Sequence, residues 1–233
     1  MANAEQQNEP PLSAKDFKIY NRAAEQMEYY HGLLRLSWNM LWEASTSGRL
    51  PPYMKMRQFI TEGLRFAQHL EIHHSIEENH VFPHLAKKMP EFRTGRGRQA
   101  AELLRQHRQI HKGLEEFQKY LEECQEGKQE LEFDVLRGKM EGWREVLWTH
   151  LDQEVKTLGA ENMRRYWTKE EMPRIPIYND MMNIETLGDS AVVAVHLRIL
   201  MEGWMRNLTV GIYRLSIPEN EEPFSHSQFG ILA

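Results

Sequence analysis

His73-His74-Ser75-Ile76-Glu77-Glu78-Asn79-His80-Val81-Phe82-Pro83 is the most informative run of this chain. It holds two overlapping pairs at spacing i, i+4: His73 with Glu77, and His74 with Glu78. On an α-helix each residue advances about 100°, so four steps come back to within about 40°, one turn along. Each pair therefore aims two metal-binding side chains at one place. The spacing recurs in His107 with His111 and in His150 with Glu154, and a further histidine, His31, stands upstream.

Around these residues the apolar pattern reads as four long helices. Ser13 and Asp16 resemble a capping box, with Asp in place of Glu or Gln. A helix then runs to about Ser45, with Phe17, Tyr20, Ala24, Met27, His31, Leu34, Trp38 and Leu41 on one face. Gly48 and Pro51-Pro52 end it. A second helix is predicted from about Tyr53 to Ala86, with Phe59, Leu64, Phe66, Leu70 and Ile76 among its apolar positions and a bend at Pro83. Pro90 to Gly97 reads as a loop. A third helix is predicted from Arg98 to Glu126, stopping at Gly127, and a fourth from Leu131 to Met163. Loops this short join antiparallel neighbours, so the expected fold is all-α, an up-down four-helix bundle. The expected division is a disordered lead-in over 1–13, the bundle over 14–172, and a C-terminal extension of unknown role over 173–233. In that extension Asp189 or Ser190 could cap a helix to Trp204, and Leu208 to Ile217 alternates loosely like a strand.

Composition removes several function classes. The chain has 233 residues and a formal net charge of −5, so no global basic field recruits nucleic acid. No apolar run approaches the ~18–20 residues that span a bilayer, and Met1 to Pro11 is polar, unlike a secretory signal. The one cysteine, Cys124, provides neither a disulfide framework nor a thiolate metal site. A reducing cytoplasm fits best.

A lone buried histidine is usually a hydrogen-bonded core residue, and exposed His, Glu pairs are common on helix surfaces. The weight lies in the distribution: each of the four helices that must share one core carries at least one such donor. Their sum is five imidazoles and two carboxylates, too many for one tetrahedral zinc with its three or four ligands. Imidazole accepts iron, and carboxylates bridge two metals and neutralise their charge. Without metal such an interior would be costly, because buried polar groups need partners. His69, His80 and His84 extend the stripe along the second helix, where it is expected to leave the core and these residues to back the ligands or face solvent; the alternative is that one of them relays protons or replaces a ligand. Trp38, Trp42, Trp143 and Trp148 read as core packing, and Trp38 or Trp143 could wall a small-ligand pocket.

These residues resemble the hemerythrin-like, or HHE cation-binding, family, and in particular cytosolic hemerythrin-like proteins of filamentous fungi. The run from His73 to Pro83 resembles the family's HHxxEExxxFP block, His107 to His111 its HxxxH, and His150 to Glu154 its HxxxE. His31 falls where the first-helix histidine is expected. The likeness covers roughly residues 14–172. It implies the register His73 with Glu77, since the family's ligand histidine lies ten residues before the Pro of the FP pair. It also implies an oxo- or hydroxo-bridged pair of iron ions, with His107, His111 and His150 on one and His31 and His73 on the other. Glu77 and Glu154 would bridge, and an open position would take O2 or NO.

There is a departure. Oxygen-carrying hemerythrins of marine worms use a fourth-helix His and an Asp five residues on, whereas here Glu154 follows His150 by four. The HHE branch includes iron storage, sensing, stress-repair and enzymatic proteins, so oxygen carriage does not transfer by resemblance alone. The expectation is a binding protein for O2 or NO, in storage, sensing or iron handling. The alternative is a di-iron redox enzyme, an oxygenase or a nitrosative- or oxidative-stress repair protein, which could need a reductase. Ferritin-like oxygenases draw Glu-x-x-His from each of two helices. Here Glu71-x-x-His74 and Glu77-x-x-His80 lie on the same helix, and this favours the binding reading. A metal-free helical interaction module is the third possibility.

Overall fold

The computed structural model describes residues 10–52, 54–93 and 100–177, which fall in a compact unit ending at Asp180. The helix expected up to Trp204 and the strand expected over Leu208 to Ile217 lie outside the described residues, as do the first nine residues of the lead-in and Gly95 and Gly97 of the loop. The described residues are helical, with no strand among them. The four long helices are α1 (Ala14–Ser47), α2 (Met56–Ile76), α4 (Ala100–Gln125) and α5 (Phe133–Thr157); α3 (Phe82–Leu85) and α6 (Ala160–Met163) are single turns.

Local chemistry sets the ends of α1. Ser13 Oγ accepts from the Asp16 amide at 3.1 Å, satisfying one of the donors a helix start leaves open. Gly48 closes the other end at φ 67°, where a side chain would be strained, and its N–H reaches the Ala44 carbonyl. Gly127 ends α4 in the same left-handed region, at φ 75°.

Each long helix packs against two others, α1 on α2 and α5, and α4 on α2 and α5. Contacts between α1 and α5 run in opposite senses: Trp38 meets Trp143, while His31 meets Leu151. The result is an up-down four-helix bundle. Its core holds an aromatic knot: Trp38 meets Trp143 edge-on at 4.7 Å, and Phe66 and Phe117 pack beside them. Burying such a side chain stabilises by roughly 1.5–3 kcal/mol. Gly113 permits this closeness, since a Cβ there would lie 2.3 Å from the Trp143 ring.

Three elements depart from the periodicity. The single helix expected from Tyr53 to Ala86 is interrupted by a π-helical turn, Glu77–Val81, in which the Phe82 N–H reaches back to the Glu77 carbonyl. Pro83 explains it: proline has no N–H for the Asn79 carbonyl, and its ring would clash there in an α-helix. The chain widens by one residue and resumes as α3. The fourth helix breaks at Leu158-Gly159, where Gly159 turns extended at ψ 154° and caps α6. Pro90–Phe92, expected as loop, forms a 3-10 turn. Of the expected first-helix face, Phe17 is 45% exposed.

Candidate metal centre

The middle of the bundle is polar, against the general rule that cores are apolar. His31 from α1, His73 and His74 from α2, Glu77 from the π turn, His107 from α4, and His150 and Glu154 from α5 are all buried. Three of the imidazoles are oriented from outside. The His31 Nδ1–H donates to the Leu151 carbonyl at 3.1 Å. The His107 Nδ1–H donates to Glu78 Oε1 at 2.7 Å. The His150 Nδ1–H donates to Gln106 Oε1 at 3.3 Å. The Gln106 amide is held that way round because its Nε2 donates to Glu102 and Gln153. With the proton held on Nδ1, each ring turns its Nε2 lone pair inward, the tautomer a metal ligand needs.

The inward atoms meet in two places. His31 Nε2 lies 3.1 Å from His73 Nε2, and His107 Nε2 lies 3.1 Å from His150 Nε2. Two nitrogens at right angles around one ion, each about 2.1 Å from it, would stand about 3.0 Å apart. Glu77 spans both places: Oε1 is 3.1 Å from His73 Nε2, and Oε2 is 3.4 Å from His107 Nε2. Glu154 Oε2 is 3.4 Å from His31 Nε2 and 3.7 Å from His150 Nε2. Two groups of four donors result, His31, His73, Glu77 and Glu154, and His74, Glu77, His107 and His150. Within each group the ligand atoms lie inside 4.8 Å of one another.

The electrostatics ask for a cation. The Glu77 and Glu154 carboxylate oxygens have no hydrogen-bond partner among the described residues. Burial, with Glu154 beside it, pushes the Glu77 carboxyl well above its usual range. Burial likewise pushes His73, His74 and His150 well below theirs. Burial also opposes charge on His107, but the Glu77 carboxylate 3.4 Å from its Nε2 and the hydrogen bond from its Nδ1 to Glu78 outweigh it and lift this ring to about 9. Uncompensated buried charge costs several kcal/mol per ion, and a dication shared among these groups offsets it. The donor set therefore fits metal.

The family model for the hemerythrin HHE cation-binding domain matches residues 22–160. The chain belongs to this family. The match in this HHE protein starts within α1 and ends at Ala160, so it takes in α2, α4 and α5, which carry the other donors. The domain is by family a cation-binding one, and its His and Glu groups could hold the ion. No curated protein and no solved structure matches the chain.

The HHE helices bring His31, His73, Glu77, His107, His150 and Glu154 of the expected ligands into the two groups. His111 stands outside both. It is half-buried, its ring centre is 6.4 Å from that of His107, and it lines a groove of about 450 Å³ with Glu71, Glu115 and Glu122. His74 joins the second group; its i, i+3 relation to Glu77 was readable beside the i, i+4 pairs. Glu78 and Gln106 orient ligands across helices; the i, i+4 spacing paired Glu78 with His74, and no spacing rule ties Glu78 to His107 or Gln106 to His150. His80 is exposed, His69 is half-buried, and His84 is stacked on Trp167 at 5.3 Å. Trp38 and Trp143 pack in the apolar core, as expected.

Proposed function

We propose that this protein holds two iron ions in the two donor groups and binds O2 or a similar small ligand, NO, in storage, sensing or iron handling. His31 and His73 would hold one ion, His107 and His150 the other, with Glu77 and Glu154 between them. One observation carries this reading: the two oxygens of Glu77 face imidazole nitrogens of different groups, the arrangement of a bridging carboxylate. An imidazole-rich shell suits iron. No described helix is long and apolar enough to cross a membrane.

The test is to load the protein with ferrous iron, count metal per chain, and record visible spectra before and after air. Two irons and an absorption band that appears with O2 and fades under vacuum support reversible binding. Two irons that oxidise irreversibly move the reading to redox chemistry. Stoichiometric zinc, or no metal, sinks it.

A further inference from the structure

We propose that His74, and not His111, completes the imidazole set of the position faced by His107 and His150. The inference rests on the two-cation reading above. His73 and His74 are consecutive, so on α2 they point about 100° apart and can serve different positions from one turn of helix. The structure divides them this way. His73 meets His31 at 3.1 Å between Nε2 atoms. His74 stacks on His107, with ring centres 4.0 Å apart and planes 16° apart, and stands edge-on to His150 at 5.3 Å. Glu77 follows His73 by four residues and His74 by three, both one-turn spacings, so its carboxylate falls between the two rings' positions.

His74 is fully buried, and neither ring nitrogen has a hydrogen-bond partner among the described residues. A buried imidazole with both polar atoms unmet is destabilising unless a metal takes its lone pair. His31, His107 and His150 each spend Nδ1 on an outer partner; His74 has none and keeps both nitrogens. His111 lies a turn further along α4, in the groove wall, and its ring centre stands 5.2 Å from that of His74. Of the two, only His74 has a ring nitrogen in the donor group of His107 and His150. With His74, the second position has three imidazoles and the first has two.

The test compares wild type, His74→Ala and His111→Ala. Each is stripped of metal, loaded with ferrous iron without oxygen, passed through a desalting column and assayed for iron per chain, with circular dichroism as the check of folding. The inference expects two irons in wild type, two in His111→Ala and one in His74→Ala. Added free imidazole should restore the second iron to His74→Ala. An iron lost from His111→Ala overturns the inference, as does a folded His74→Ala that keeps two. If His74→Ala does not fold, His111→Ala decides alone: two irons uphold the inference and fewer overturn it. Wild type holding fewer than two irons fails the two-cation reading, and the inference with it. Wild type with two irons and either contrary variant result fails the inference alone.

Discussion

Glu78 and Gln106 touch His107 and His150 on the side away from the cluster. Such outer partners fix ring orientation, and losing one typically weakens metal binding about 10–100-fold. Glu78→Gln removes the charge that holds the His107 Nδ1 proton. Its iron dissociation constant, read by competition with a chelator, should rise by that factor while circular dichroism stays unchanged. An unaltered constant would mean that the Glu78 contact does not orient the ligand. His107 also sets a pH dependence. The nearby Glu77 carboxylate and the hydrogen bond to Glu78 lift it, against burial, to about 9, so below that pH the metal-free ring carries a proton on the nitrogen a cation needs. Protons then compete with metal. Apparent affinity should climb by about tenfold per pH unit from this group and level off near 9, as titration at fixed iron would show. Affinity flat between neutral pH and 9 would contradict the lift.

At the scale of the element, the close approach of α4 to α5 depends on Gly113. A Cβ there would stand 2.3 Å from the Trp143 ring. Alanine gains about 1 kcal/mol of helix propensity over glycine, but overpacking typically costs about 1–3 kcal/mol. Trp143 is itself held by Trp38 and by its own Nε1 bond to the Lys139 carbonyl, so it has little room to yield. Gly113→Ala should lower the denaturation midpoint, and a raised one would show that α4 and α5 stand further apart. The start of α1 offers a simpler test: Ser13→Ala deletes the cap and should cost about 1 kcal/mol in urea unfolding.

For the whole molecule, the metal groups tie together helices that the apolar core already packs. Folding without cation leaves two buried carboxylates without hydrogen bonds. A ligand present at a hundred times its dissociation constant stabilises by about 2.7 kcal/mol, which for a unit of this size raises the midpoint by roughly 5–10 °C. Chelation should lower the thermal midpoint by at least that much, and refilling with iron should restore it. A midpoint indifferent to chelator would separate the centre from stability.

Much of this was legible in the sequence because it is local. Apolar periodicity names a helix wherever it occurs, and a pair at i, i+4 shares a helix face whatever else surrounds it. The four long helices, the donor types and the pairing of His150 with Glu154 rest on that, whereas spacing fitted His73 with Glu77 and His74 with Glu78 equally and the family resemblance chose between them. The π turn needed Pro83 read together with the Asn79 carbonyl it cannot satisfy, and the break at Gly159 has no proline to announce it. What only the tertiary structure decided lies across long separations. Leu151 turns the His31 ring from 120 residues away, and Gln106 turns that of His150 from 44. Whether His74 or His111 stands beside His107 depends on how far α2 and α4 rotate about their own axes. Spacing within one helix is blind to that rotation, because it is set by the packing of side chains between helices.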